Sequence, residues 1–201
     1  MAEIEGTSNP LRSKKFHDMS YGNTADNTLT NQTAGIKQLA QQYPYMDIDR
    51  VGIWGHSGGG FATATAMFRF PDFFKVGISE SGNHDNRNYE DEWDLPSASD
   101  YEAQANQNYA KNLKGKLMLA HGMMDNNVPP SNTLLVVEAL EKANKDYDLV
   151  LFPNSTHGFG AYTTYMTRSR CDYFVKHLLG AEPPREFQLV LKPDPGNGVA
   201  R

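Results

Sequence analysis

Hydrophobic and polar positions along this chain fall into blocks whose period changes from helix-like to strand-like and back. Residues 28–43 carry Leu29, Ile36 and Leu39-Ala40 at roughly helical spacing and stop before Pro44, which predicts an amphipathic helix. The apolar, β-prone run at 51–54 reads as a strand. It passes through Gly55-His56-Ser57-Gly58-Gly59 into an Ala-, Thr- and Phe-rich helix that ends near Pro71. Three more short apolar runs, 74–79, 116–121 and 147–152, read as strands. Helices are expected within 101–113, over 131–144 and over about 162–179. The remaining segments look irregular. Residues 1–27 are polar and glycine-dotted, 80–89 look too polar for a core, and 91–98 read as a loop or lid. In the tail, 183–201, only residues 186–191 have strand character. No internal repeat or low-complexity tract is visible.

Strands alternating with helices imply an α/β fold, a mostly parallel sheet with helices on both faces. A length of 201 residues suits one domain, 1–201. Composition then narrows the function. The net charge of -5 is spread over interspersed acids and bases without a basic block, so nucleic acid is not an expected partner. Cys171 is the only cysteine, so no intrachain disulfide can form. No apolar stretch approaches the roughly 20 residues of a membrane span, and no leader pattern opens the chain. A soluble protein is expected, cytoplasmic if the chain is complete, with no membrane partner.

In parallel sheets ligands bind beyond the carboxyl ends of the strands, and the candidate chemistry lies there. Gly55-x-Ser57-x-Gly59 between a strand and a helix is the pattern of a nucleophile turn. Its glycines are expected where a Cβ would collide with strand or helix, and the Gly58 amide at the helix N-terminus is a candidate oxyanion donor. The third strand ends in His121-Gly122-Met123-Met124-Asp125-Asn126-Asn127-Val128, and the fourth leads to His157-Gly158. The chain order Ser57, Asp125, His157 is that of α/β-hydrolase triads. His157 would take the Ser57 proton while Asp125 fixes its tautomer. Taken singly, Asp125 could cap the following helix, although Ser131 or Asn132 is better placed for that, and His157 alone reads better as a loop histidine. Three such residues in the right order make coincidence a poor account. His56 is expected to shape the pocket, and His121 to be structural. Glu90, Asp91 and Glu92 read as a solvated lid face. His84 and Asp85 lack companions for a metal site, so no metal and no cofactor are expected.

These motifs together resemble the catalytic domain of the prolyl oligopeptidase family of serine hydrolases, most of all its dipeptidyl-peptidase IV branch. The resemblance rests on residues 49–59, 121–128 and 157–158 and covers about residues 10–180. It implies an α/β-hydrolase fold with Ser57, Asp125 and His157 as the triad. It also implies that Asn127 holds the substrate carbonyl, that Val128 lines the neighbouring apolar pocket, and that Tyr89 and Trp93 line the pocket for the residue before the scissile bond. The chain departs from the family at His56, where an aromatic residue is usual, and at Gly58, where a tyrosine is common. By the same resemblance, the family's first strands, its oxyanion tyrosine and its β-propeller would lie before Met1.

Amide cleavage needs more transition-state stabilisation than cleavage of an activated ester, and one oxyanion donor is worth about 3–4 kcal/mol. Short-chain ester hydrolysis is therefore the first expectation. A dipeptidyl-peptidase-type peptidase is the alternative, and a non-catalytic remnant acting as an interaction module is the third. Without the family's first strands, the nucleophile strand would have an open edge. A homo-oligomer, most simply a dimer that engages the 183–201 tail, is expected to cover that edge.

Overall fold

The computed structural model describes residues 4, 6–7, 13–20, 28–89 and 98–190. Four parallel strands form one sheet in the order β1-β2-β3-β4. They are β1 (Val51–His56), β2 (Phe74–Glu80), β3 (Lys116–Gly122) and β4 (Asp148–Phe152). Each follows an apolar run expected to be a strand. The helices are α1 (Lys14–His17), α2 (Leu29–Gln42), α3 (Gly58–Arg69), α4 (Ala98–Gln104), α5 (Ser131–Lys142) and α6 (Thr163–His177). The α/β-hydrolase fold expected from the resemblance is the fold observed. The single turn α1 and the 3-10 turn Asp18–Ser20 add local structure to a segment expected to be irregular. The expected helix within 101–113 is divided instead into α4 and the 3-10 helix Asn106–Asn112.

Alternation along the strands fills two cores, one on each face. Leu117 and Leu119 of β3 join Leu29, Ala64, Phe68, Val136 and Leu140 on the side of α2, α3 and α5. Met118 and Ala120 point the other way, joining Ile78, Phe152, Met166 and Tyr173 beneath α6. A strand with both faces covered has no polar side, which is why β3 reads as a continuous apolar run over 117–120 and β2 is broken only by Lys75 before Ser79. Helix α6 crosses β1 so closely that a Cβ on Gly52 would lie 2.6 Å from the Phe174 ring.

Among the described strands, β1 pairs with β2 alone, so the strand leading to Ser57 is an edge. The tail differs from the expectation at 186–191. Residues 187–190 are irregular and Leu191 lies outside the described residues. The Phe187 carbonyl accepts from Arg168 Nη1 at 3.2 Å, so the tail meets α6 there, and among the described residues 187–190 pair with no strand.

The largest correction concerns residues 80–89. Polar composition suggested exposure, yet Glu80, Ser81, Asn83, His84, Asp85 and Asn86 are all buried. Partners distant in sequence make this possible, because a buried polar group is tolerated when it is hydrogen-bonded. Asn106 Nδ2 donates to His84 Nδ1 at 3.1 Å. His84 Nε2 therefore carries the proton and donates to Ser79 Oγ at 3.4 Å, and Ser79 Oγ donates to the Gly60 carbonyl at 2.8 Å. Asp85 Oδ1 accepts from Arg87 Nε at 2.8 Å, Oδ2 accepts from Gln107 at 2.6 Å, and the Asp85 amide donates to Asn132 Oδ1 at 2.9 Å.

The His84 ring has a donor on one nitrogen and no place for a second proton. Complete burial, reinforced by the nearby His121, pushes its pKa down to about 3. The unfolded chain binds a proton there below about pH 6.5, whereas the folded chain stays neutral down to about pH 3. Stability is therefore lost as pH falls through that window, by roughly 3 kcal/mol at pH 4 from this residue. Urea midpoints measured from pH 7 to pH 4 should fall, and His84→Gln should flatten that slope. An equal slope in the variant would contradict the assignment.

Candidate active site

Ser57 stands where β1 turns into α3, with φ 59° and ψ -121°. A non-glycine residue in this region is strained by on the order of 1–3 kcal/mol, so the surroundings must hold it. Its amide donates to the Glu80 carbonyl at 2.8 Å, and its carbonyl takes the first helical bond, from the Phe61 amide, at 3.0 Å. The turn is tight on one side. A Cβ on Gly55 would lie 2.3 Å from the Gly59 carbonyl oxygen, and one on Gly60 would lie 2.5 Å from the Glu80 carbonyl oxygen. Gly58 and Gly59 face open space, so steric need explains Gly55 and Gly60 but neither of the glycines between them. Gly58 opens α3, where helix geometry leaves the first amides without intrahelical partners and positive in potential.

Asp125 and His157 meet at the same end of the sheet. The Asp125 side chain is buried, and its Oδ1 accepts the Asn127 and Val128 amides at 3.0 and 2.9 Å. Oδ2 accepts His157 Nδ1–H at 2.7 Å, so Nε2 of His157 is the unprotonated nitrogen when the ring is neutral. Asp125 does not cap α5. Neither does Ser131 or Asn132, because Pro130 is the N-cap and makes no side-chain bond.

His121, at the end of β3, packs beneath the pair. Nε2 lies 2.9 Å from the Val128 carbonyl and 3.3 Å from Asp125 Oδ2, while Nδ1 accepts from Thr133 Oγ1 at 2.7 Å. Burial pushes its pKa down against the pull of the Val128 carbonyl and Asp125. His121 therefore braces the Asp125 loop as a neutral ring.

The remaining predicted residues fall as follows. His56 Nε2 lies 2.6 Å from the His157 carbonyl oxygen, so that nitrogen faces the protein and not an open pocket. Asn127 is exposed beside Asp125, and Val128 is buried next to it. Tyr89 ends the 3-10 turn Asn86–Tyr89, and Trp93 lies outside the described residues, as do Glu90, Asp91 and Glu92. Among the described residues no group of three or more His, Cys, Asp or Glu is placed to hold a metal, and no helix is long and apolar enough to cross a membrane.

Sequence reasoning missed Glu80. Its carboxylate is buried and accepts Arg170 of α6 bidentately, Nε to Oε1 at 2.8 Å and Nη2 to Oε2 at 3.0 Å. Arg170 also lies over the Trp54 ring, 3.6 Å from its centroid. The residue whose carbonyl holds the Ser57 amide is thus anchored by its side chain as well. No local pattern signals this pair, because its partners are 90 positions apart.

A model of the prolyl oligopeptidase family matches residues 1–181. Dipeptidyl peptidase family member 1 of Caenorhabditis elegans is 26% identical over 169 residues, covering 81% of this chain and 21% of that protein. Dipeptidyl peptidase 8 of Mus musculus is 30% identical over 149 residues, 64% of this chain and 16% of that one. The chain thus spans about a fifth of the length of these relatives. Dipeptidyl peptidase 4 of Porphyromonas gingivalis superposes with a TM-score of 0.75 at 29% identity, over 83% of this chain and 25% of that one. The acylaminoacyl peptidase of Pyrococcus horikoshii gives 0.77 at 23% identity, over 90% of this chain and 32% of that one, and shares the fold.

Removing one partner of a buried ion pair leaves an uncompensated charge and costs about 3–5 kcal/mol. Arg170→Met should lower the urea midpoint by an equivalent of about 3 kcal/mol, the low end because Arg170 is partly exposed. Adding Glu80→Gln should restore part of the loss. A double variant as unstable as Arg170→Met would show that the pair does not act as one.

Proposed function

Because this chain belongs to the prolyl oligopeptidase family, we propose that it is a serine hydrolase of the peptidase type, acting through an acyl-enzyme on Ser57. The observation that carries this reading is the 2.7 Å bond from His157 Nδ1 to the buried Asp125 carboxylate, which leaves Nε2 as the basic atom at the sheet end where Ser57 stands. In the first step Ser57 Oγ forms a bond to the substrate carbonyl carbon while its proton passes to His157 Nε2. The Gly58 amide donates to the resulting oxyanion, and Asp125 stabilises the imidazolium. The intermediate then collapses. The bond to the leaving group breaks, and His157 gives that group its proton. A water molecule, deprotonated by His157, repeats the sequence on the acyl-enzyme and frees Ser57.

Short peptides are the proposed substrates, in keeping with the dipeptidyl peptidases among its relatives. Asn127, exposed beside Asp125, would meet the substrate with the buried Val128 behind it, and Tyr89 is proposed at the same end. Small activated esters are a second substrate class. The elbow itself supplies the Gly58 donor, and an ester asks less of the oxyanion site than an amide does.

Covalent labelling with a fluorophosphonate should occur in the unmodified 201-residue chain and disappear in Ser57→Ala. His157→Ala should lower the labelling rate and kcat by at least about 10³-fold with the fold intact. Labelling that survives Ser57→Ala would sink the nucleophile assignment. No labelling at all would favour a non-catalytic interaction module. Turnover of Gly-Pro-p-nitroanilide against p-nitrophenyl acetate then ranks peptide against ester.

A further inference from the structure

His157 lies in the loop after β4, while Ser57 lies between β1 and α3, so nothing covalent keeps the two in register. The Asp125 carboxylate fixes the His157 ring through Nδ1 but does not hold its main chain. The main-chain carbonyl of His157 meets two donors. His56 Nε2 lies 2.6 Å from it, and since a carbonyl only accepts, His56 carries its proton on Nε2. The Ser81 hydroxyl donates to the same oxygen at 3.3 Å. A carbonyl oxygen has two lone pairs, and both are engaged.

Both donors belong to the scaffold that holds the nucleophile turn. His56 directly precedes Ser57. Ser81 directly follows Glu80, whose carbonyl accepts the Ser57 amide at 2.8 Å. Ser81 is fully buried with φ 45°, and its amide is pinned to the Ala120 carbonyl at 2.8 Å. A serine held in that strained region marks a place where the surroundings impose a conformation, and here the imposed conformation brings its hydroxyl to His157. The His56 ring is fixed in turn. It meets the His157 ring edge-on at 4.5 Å between centroids and the Phe159 ring at 5.8 Å.

On the reading that Ser57 and His157 are nucleophile and base, we infer that His56 and Ser81 are positioning residues that clamp the His157 main chain to the nucleophile turn. Base and nucleophile then move as one unit, whatever the loop after β4 does. The Asp125 bond sets how the ring is rotated, and the clamp sets where the ring is. Reacting atoms must be aligned to within a fraction of an ångström, and a displacement of about 1 Å can cost about 10²-fold in rate. His56 thus acts through His157 and leaves substrate contact to other side chains.

The test compares His56→Gln with His56→Met in the full chain. The two side chains have similar length, and only glutamine keeps a donor near the position of Nε2. In His56→Met, kcat for p-nitrophenyl acetate and the fluorophosphonate labelling rate should fall by about 10- to 100-fold, with KM changed by less than about twofold. His56→Gln should recover most of that loss, and Ser81→Ala, whose bond is longer, should cost about threefold to tenfold in kcat alone. A His56→Met variant that labels at the unmodified rate overturns the clamp, and so does a glutamine variant as slow as the methionine one. If His56→Met loses cooperative unfolding, Ser81→Ala decides: a fall in kcat at constant KM supports the clamp, and an unchanged kcat overturns it. Ser57-dependent labelling of the unmodified chain tests the hydrolase reading separately, and its absence would remove the basis of both.

Discussion

The hydrogen bond from the Ser57 amide to the Glu80 carbonyl is the constraint on which the candidate active site depends. A serine at φ 59° does not hold itself. Here the end of β2 holds it, and β2 is an inner strand, paired with β1 on one side and β3 on the other. Glu80 serves twice, its carbonyl gripping the turn and its carboxylate gripping Arg170 of α6. A helix on one face of the sheet and a turn at its end are thereby joined through a single residue. The edge position of β1 makes that junction more important, since among the described strands β1 has a neighbour on one side only.

Beyond Glu80 the chain stays buried although nearly every side chain is polar. Its cohesion comes mostly from matched donors and acceptors, with Asn83 Oδ1 and Gln107 Oε1 buried and without a partner among the described residues. His84, Asn106, Ser79 and the Gly60 carbonyl form one chain of neutral bonds, and Asp85, Arg87, Gln107 and Asn132 form another around a charge. Burial raises the Asp85 pKa, but its bonds from Arg87 and Gln107 outweigh that and hold it below the usual carboxylate range. The first chain runs beneath α3 and the Ser57 turn, and the second ties the strand-end segment to α5. Rigidity behind Ser57 is thus built partly from polar groups, which specify one arrangement more narrowly than an apolar filling does.

Much of this architecture was legible because hydrophobic period is a local property. All four strands and α2, α3, α5 and α6 follow their apolar patterns to within a few residues. Ser57, Asp125 and His157 stood out for a related reason, as strand ends can be located without knowing what packs beside them. What stayed illegible depends on partners far along the chain. Glu80 looked solvated because Arg170 is 90 positions away, and His56 looked like a pocket residue because the His157 carbonyl is 101 positions away. The tail shows the opposite error. Residues 186–191 have strand propensity, but among the described residues 187–190 pair with no strand and Phe187 meets α6, and propensity alone forms no ladder.

The glycines around Ser57 bear on how such a turn diversifies. Gly55 and Gly60 are locked by backbone oxygens 2.3 and 2.5 Å from any added carbon, whereas Gly58 and Gly59 look out on empty space. The four glycines therefore tolerate an added side chain unequally. The outer two are fixed by the geometry of the bend, while position 58, directly after Ser57, can take a side chain without disturbing the bend. One substitution there would change the surface beside Ser57 from bare backbone to a bulky ring without rebuilding the turn that presents the serine.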